Sequence, residues 1–316
     1  MNQGFGVTIL SKLGIGFFLS VIAVAAVSRV SSASAPPSVC ARYIHSDLHR
    51  EVSRDPDSRF DFKNSGGLMN AGTCWWHSRF QRSVWALAEF RANEPKPTRD
   101  EAVRLINGLA HFRGVQIIPG YRDFDSFSAD FKPEIQSELN AWQLRDGILN
   151  QSWLRGLAGR ADLGRQPGRM RKIMDDLYKY TLRGAAENFF PWVMLQLKGI
   201  DAHAALVIGM SRLPGGYTMD IVDSNYPALT YTWSYRYGDG QVRDSKYETV
   251  PYRGLQRDVT RIRKILKQYC SPSSEKSSRW PSTSLSNRGA DEPFTAEELV
   301  DGIEPYLGND ASFRED

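Results

Sequence analysis

The order of the local patterns along the chain limits its fold more than any other sequence feature. Residues 71 to about 182 carry apolar side chains at three- and four-residue steps, whereas residues 192–252 contain five short runs rich in Val, Ile, Tyr, Trp and Thr. Spacing of the first kind predicts helices, and runs of the second kind predict strands. Helices followed by antiparallel strands indicate an α+β fold with separate helical and sheet layers.

The predicted elements have these bounds. Helices are expected at Ala71–Ala92, from Thr98 onwards, at Pro133–Leu154, at Arg171–Leu182 and at Leu255–Gln268. The five strands are expected at Trp192–Leu197, His203–Met210, Tyr217–Asp223, Leu229–Tyr237 and Tyr247–Tyr252, and a short earlier strand at Val115–Ile118. Thr98 and Glu101 have the spacing of a capping box, which marks a helix start.

The N-terminal segment has the composition of a targeting sequence. Lys12 precedes an apolar run, Leu13–Val27, and small residues follow at Ser31–Ala35. This combination predicts a secretory signal peptide over residues 1–35, and an uncleaved membrane anchor is the alternative. We therefore expect a periplasmic or secreted protein, with membrane contact only through this segment.

The rest of the chain divides into three parts. Residues 36–270 contain the helices and strands given above and form the expected main domain. Residues 271–291 are rich in Ser and Pro, which predicts a flexible linker. Residues 292–316 form an acidic C-terminal tail.

Cysteine usage separates one thiol from the other two. The chain has three cysteines, and oxidising compartments permit disulfides. Cys40 and Cys270 bracket the main domain, so a bond between them would tie its two ends together. Cys74 would then be a free thiol.

The sequence around Cys74 has the character of a nucleophile site. Gly72-Thr73 precede Cys74, Trp75 and Trp76 follow it, and a long helical pattern starts there. The positive end of a helix dipole and its free amides favour the thiolate form of a cysteine, and the same amides can hold an oxyanion. The alternative is an inert buried cysteine, because cysteine is among the residue types most often buried.

A thiolate nucleophile needs a base, and His203 is the best placed of the five histidines. It opens an apolar strand and has the small neighbours Ala202 and Ala204, which let another segment approach the imidazole. A buried core histidine is the alternative. The other four histidines fit surface, packing or helix-end positions: His45, His49, His77 and His111.

Asp223 completes the candidate group. It ends the strand that follows the His203 strand, 20 residues further on. In a hairpin, the start of one strand lies opposite the end of the next, so the two side chains are expected to be cross-strand neighbours. Asp223 would orient the imidazole and stabilise its protonated form. A plain turn at Asp223–Asn225 is the alternative.

Together these segments resemble the papain-like cysteine peptidases. Gly72–Trp75 with the following Ser78 is similar to the Cys-Trp signature of that superfamily, and His203 lies 129 residues beyond Cys74, near the family spacing of about 130–150. Asp201–Gly209 looks like the family's His-Ala…Val-Gly strand, and Ile221–Ser224 stands where the family carries Asn-Ser. The resemblance covers residues 38–270 as architecture, although its specific matches span few residues.

The resemblance implies a papain-like fold and a Cys-His-Asp triad of the kind seen in bacterial members. The fold would pack a helical layer, with Cys74 on its central helix, against an antiparallel β-sheet or barrel. Cys74 would attack, His203 would carry the proton, and Asp223 would take the place of the usual asparagine.

The resemblance also implies the rest of the site. The family's oxyanion glutamine, six residues before the cysteine, is replaced by Leu68, so Asn70 is expected to supply that donor, with Asn64 as the second choice. Trp75 and Asn225 are the expected substrate-binding residues.

The predicted function is an exported thiol peptidase that hydrolyses peptide or isopeptide bonds in a peptide or protein substrate. The alternatives are a transglutaminase-like acyl transferase, whose cysteine-to-histidine spacing is usually much shorter, a peptidoglycan amide hydrolase, and an inactive papain-fold binding module. No Cys/His cluster has metal-ligand spacing and no glycine loop fits a phosphate, so we expect no metal and no other cofactor. The basic run at residues 155–172 lacks interleaved aromatics, which argues against nucleic-acid binding.

Overall fold

The structure, a computed structural model, describes residues 39–45, 48–52, 55–67, 72–149, 167–197, 201–243, 248–253 and 258–271. The expected signal peptide, the acidic tail, nearly all of the Ser/Pro-rich linker, and Asn70 lie outside these residues.

The described chain is mixed α+β, with helices first and an antiparallel sheet second. The helices are α1 (Val39–His45), α2 (Leu48–Val52), α3 (Cys74–Leu87), α4 (Arg99–Ala110), α5 (Phe124–Asp130), α6 (Lys132–Trp142), α7 (Pro167–Glu187) and α8 (Val259–Tyr269). A 3-10 turn covers Pro56–Ser58, and a π-helical segment covers Gln143–Leu149. The order of helices and strands confirms the α+β prediction.

Two sheets are present in the described residues. Strands β1 (Ala88–Arg91) and β2 (Gln116–Pro119) pair in parallel. The larger sheet is antiparallel and curled, and it contains β3 (Trp192–Gln196), β4 (Ala202–Leu213), β5 (Gly216–Asp223), β6 (Thr230–Arg236), β7 (Val242–Arg243) and β8 (Glu248–Arg253). Each of these strands pairs with the next, and β8 pairs with β3.

Helix α3 is the centre of the molecule. All 14 of its residues are buried, from Cys74 to Leu87, so it contacts other elements on every side. The hydroxyl of Ser78 donates to the carbonyl of Ala204 on β4 at 3.1 Å, which fixes the helix against the sheet. The Trp75 ring packs edge-on against Trp192 of β3.

The predicted helix over Ala71–Ala92 is too long at both ends. Helix α3 begins at Cys74 and ends at Leu87, and the next four residues form β1. Backbone pairing with β2 overrides the local helical spacing there, as tertiary contacts often do. The predicted capping box is confirmed, because Thr98 and Glu101 bond reciprocally at the start of α4.

Two buried arginines join α3 to the start of α8. Arg79 makes two hydrogen bonds of 2.9 Å to the carboxylate of Asp258, and Arg82 makes one of 3.0 Å to the same carboxylate. The Arg79 guanidinium also lies 4.4 Å from the centre of the Trp142 ring and 3.2 Å from Asp146. This pairing lets α3 bury two charges that would be costly if isolated.

A disulfide joins Cys40 on α1 to Cys270 at the end of α8, with 5.3 Å between the Cα atoms. It closes a loop of 230 residues and ties the two ends of the main domain together, as predicted. Cys74 is a free thiol, which is also as predicted. In the described part of the chain, none of the helices combines the length and apolar character needed to cross a bilayer.

Candidate active site

Cys74 is the first residue of α3, and its side chain meets the histidine of the sheet. Thr73 is the residue that precedes the helix, and its carbonyl accepts the first helical bond from His77 at 2.8 Å. The amides of the first turn therefore have no partner within the helix and face its N-terminal end. Cys74 is 9 % exposed, so it lies at the edge of the core with limited access to solvent.

His203 and Asp223 come together across the β4–β5 hairpin. His203 is the second residue of β4, and Asp223 is the last residue of β5. The register places Asp223 opposite Ala205, so the two side chains are diagonal neighbours on one face and not directly opposite. Nε2 of His203 donates to Oδ1 of Asp223 at 2.7 Å, and both side chains are at least 95 % buried.

The thiol and the imidazole are hydrogen-bonded, and this contact changes the basicity of His203. Burial alone lowers the pKa of His203, but the charge of a Cys74 thiolate and the hydrogen bonds to Asp223 and Cys74 outweigh it and raise the pKa to about 10. Because Nε2 is used by Asp223, Nδ1 is the ring nitrogen left to exchange a proton with the thiol. These contacts stabilise the protonated form of His203.

The turn after β5 holds the Asp223 carboxylate in place. The backbone amide of Asn225 donates to Oδ1 of Asp223 at 2.8 Å, and the amide of Tyr226 donates to the Asp223 carbonyl at 2.9 Å. The turn considered as an alternative is therefore present, and it orients the same carboxylate that contacts His203. Asn225 is half-buried, and its side-chain oxygen accepts from Nδ2 of Asn64 at 3.1 Å.

Asn64, the second choice for the oxyanion donor, has its side chain bonded on both sides. Its Oδ1 accepts from the amide of Thr73 at 2.6 Å, and its Nδ2 donates to Asn225. These bonds favour a role in holding the site together over a role as an oxyanion donor. The sequence next to Asn64 contains no local pattern that predicts these contacts.

Trp75 lies in the core and not at an open surface. It is 3 % exposed, with its ring 6.3 Å from that of Trp192 and 6.1 Å from that of Trp76. This burial favours packing as the role of the Trp75 side chain, while its backbone amide belongs to the first turn of α3.

The other central histidine, His77, packs as expected. Its ring centre lies 3.8 Å from that of Phe60, and its Nε2 lies 3.3 Å from the Phe62 carbonyl. Burial lowers the pKa of His77 to about 3, so this ring is neutral. His111 ends α4 as expected, and its buried ring is paired with Glu138 at 2.8 Å.

Among the described residues, no group of three or more His, Cys, Asp or Glu side chains is arranged to hold a metal ion.

Comparisons of the chain with protein-family models, with curated proteins and with solved structures found no match.

Proposed function

We propose that this chain is an exported, papain-like thiol peptidase that hydrolyses peptide or isopeptide bonds through Cys74, His203 and Asp223. The proposal is carried by two successive contacts. The Cys74 side chain contacts His203, and Nε2 of His203 donates to Asp223 at 2.7 Å. The position of Cys74 at the start of a buried central helix supports it further. The signal-peptide pattern at the N-terminus is the basis for export.

The acylation step uses the imidazolium that this environment favours. The Cys74 thiolate attacks the carbonyl carbon, and the carbonyl π electrons move to the oxygen. In this mechanism the oxyanion is stabilised by the first-turn amides of α3, including that of Cys74, since Cys74 is the first residue of the helix. The oxyanion then collapses, the C–N bond breaks, and His203 gives its proton to the leaving amine.

The deacylation step reverses the proton movement. Neutral His203 takes a proton from a water molecule, the hydroxide attacks the thioester, and the tetrahedral intermediate releases the carboxylic acid and the Cys74 thiolate. Asp223 stays ionised throughout and holds the ring in one orientation, as in other triads.

The proposal is tested by incubating the protein with an unfolded protein and analysing the products by mass spectrometry. We expect new peptides from the wild type, none from Cys74→Ala, and a loss of at least about 10³-fold from His203→Ala, because triad members act as a unit. The melting temperature of Cys74→Ala should stay close to that of the wild type. His203→Ala leaves the buried Asp223 carboxylate without the imidazole, so circular dichroism at the assay temperature is used to verify that this variant is still folded.

The products also distinguish the alternative functions. With a primary amine added, a hydrolase gives mainly free acid, whereas an acyl transferase gives the amide of the added amine. Tight peptide binding without product would favour the inactive binding module and contradict the proposal. Full activity in His203→Ala would contradict the mechanism.

A further inference from the structure

Asn64 contacts both halves of the candidate active site. Its backbone amide donates to the carbonyl of Ser224 at 2.7 Å, and its Nδ2 donates to Oδ1 of Asn225 at 3.1 Å. On the other side, its Oδ1 accepts from the backbone amide of Thr73 at 2.6 Å. Asn64, in the segment before α3, is therefore bonded both to the residue before Cys74 and to the turn after Asp223.

The bonded groups are the immediate neighbours of the reacting residues. Thr73 precedes Cys74, and Ser224 and Asn225 follow Asp223. Thr73 is fully buried and Ser224 is 3 % exposed, so water has little access to replace these bonds. The thiol of Cys74 lies on the helical layer and the carboxylate of Asp223 lies on the sheet. Asn64 is hydrogen-bonded to the neighbours of both residues and so connects the two layers.

The backbone next to Cys74 is shaped to admit the Asn64 side chain. Gly72 has a φ of +87°, which favours glycine, and a Cβ built on it would lie 2.5 Å from Nδ2 of Asn64. The carbonyl of Gly72 accepts from Nε2 of Gln143 at 2.9 Å, and its amide donates to Gly66 at 2.9 Å. These two hydrogen bonds hold Gly72 in a conformation that leaves room for the side-chain amide of Asn64.

We infer that Asn64 is a positioning residue that sets the placement of Cys74 relative to the His203–Asp223 pair. This inference rests on the proposed function. Both polar atoms of its side chain are engaged within the protein, so it acts through Thr73 and Asn225. Displacement of reacting groups by about 1 Å can slow a reaction about 10²-fold, so a bridge at this point has a large effect on rate.

The test measures how fast iodoacetamide alkylates Cys74 between pH 4 and pH 10, with circular dichroism melting as a check on folding. The wild type should react rapidly at pH 6, because the protonated His203 next to the thiol favours nucleophilic attack by sulfur. Asn64→Ala should react about tenfold more slowly at pH 6, because a displaced thiol loses its contact with the imidazolium.

Asn140→Ala is the matched control. Asn140 is also an asparagine that binds this segment, because its Oδ1 accepts from the amide of Gly67 at 3.0 Å and from Gln136 at 2.9 Å. It has no bond to Thr73 or to the turn after β5 in the described residues. We expect the rate and pH profile of Asn140→Ala to match those of the wild type.

A double-mutant cycle separates positioning from general destabilisation. Asn225→Ala removes the side-chain bond to Asn64 and should slow the alkylation of Cys74 at pH 6 by a smaller factor than Asn64→Ala. The double variant should be slower by less than the product of the two single effects, since both lose one shared bond.

The possible results distinguish this inference from the proposed function. Rapid alkylation of the wild type at pH 6, with the same rate in Asn64→Ala and Asn225→Ala, would overturn the positioning role and leave the peptidase proposal intact. If Cys74 in the wild type is alkylated at pH 6 no faster than in His203→Ala, the positioning role and the peptidase proposal are both overturned. If Asn64→Ala does not fold, Asn225→Ala and the Asn140→Ala control decide the question alone.

Discussion

Neutralising Asp223 should lower the basicity of His203 without removing the hydrogen bond between them. In the wild type, His203 has its pKa raised to about 10, with the Cys74 charge and the Asp223 contact overcoming the effect of burial. Asp223→Asn keeps an acceptor oxygen at the same place but removes the negative charge 2.7 Å from Nε2. The imidazolium therefore loses part of its stabilisation.

The size of the effect follows from the contacts that remain. A nearby opposite charge shifts a pKa by about 1–3 units, and the amide oxygen of the variant retains part of the hydrogen-bond contribution. The Cys74 charge, which is the largest of the raising influences, is still present. We therefore expect the pKa of His203 to fall by about one to two units in Asp223→Asn.

The assay is a pH titration of the imidazole carbons by NMR on protein labelled with 13C-histidine, with the His203 signal assigned from His203→Ala. Asp220→Asn is the matched control, because it makes the same substitution on the same strand at an exposed position, where the side chain bonds to Thr232. Solvent screening should keep the effect of Asp220→Asn on His203 below about 0.3 units.

Two results would refute this reasoning. A wild-type His203 that titrates near its ordinary value of about 6.5 would mean that the anionic neighbours do not outweigh burial. A midpoint that is the same in Asp223→Asn and in the wild type would mean that the carboxylate does not stabilise the imidazolium. In the peptidase assay, the alkaline limb of activity should move down together with the NMR midpoint.

Three further predictions concern stability and the segment before α3. Removing the bond between Cys40 and Cys270 by a double serine substitution should lower the free energy of unfolding by about 5 kcal/mol in urea, since it closes a loop of 230 residues. Asp258→Ala deprives two buried arginines of a shared carboxylate and should cost about 3–5 kcal/mol in the same assay, whereas Glu94→Ala, in an exposed ion pair, should cost less than about 1 kcal/mol. Gly72→Ala adds a side chain at a φ of +87° and 2.5 Å from a neighbouring nitrogen, so it should lower the melting temperature and slow Cys74 alkylation.

The sequence was most informative where a local pattern has one structural outcome. The small residues and aromatic residues around Cys74 predicted the start of a helix, and α3 begins at that cysteine. The alternating strand ending at Asp223 predicted a hairpin that brings it to His203, and the two are hydrogen-bonded. These predictions depend on neighbours along the chain, which a sequence displays directly.

The sequence was less informative where distant segments decide the outcome. The register shift between Val207 and Gly209 is not visible in the alternation of side chains, and the exact register puts Asp223 opposite Ala205 instead of directly opposite the histidine. The bond between Asn64 and Asn225 likewise joins two segments that are 161 residues apart in sequence.

The arginines of α3 show the same limit. Arg79 and Arg82 are charged residues that a helical pattern would place on a solvated face, yet both are buried. Their burial depends on Asp258, which lies more than 170 residues further along the chain. The parallel pairing of β1 with β2 ends α3 at Leu87 for a comparable reason, because the partner strand is not adjacent in sequence.

The most direct test of the central claim is covalent labelling with a peptidyl electrophile, such as a peptide carrying a fluoromethyl ketone, followed by peptide mapping. We expect one adduct per chain, on the sulfur of Cys74, and we expect it to form rapidly in the wild type and in Asp220→Asn. The adduct should form far more slowly in His203→Ala, which lacks the imidazolium that stabilises the thiolate. A wild-type protein that stays unlabelled, or that reacts equally fast without His203, would contradict the claim that these residues form a working catalytic group.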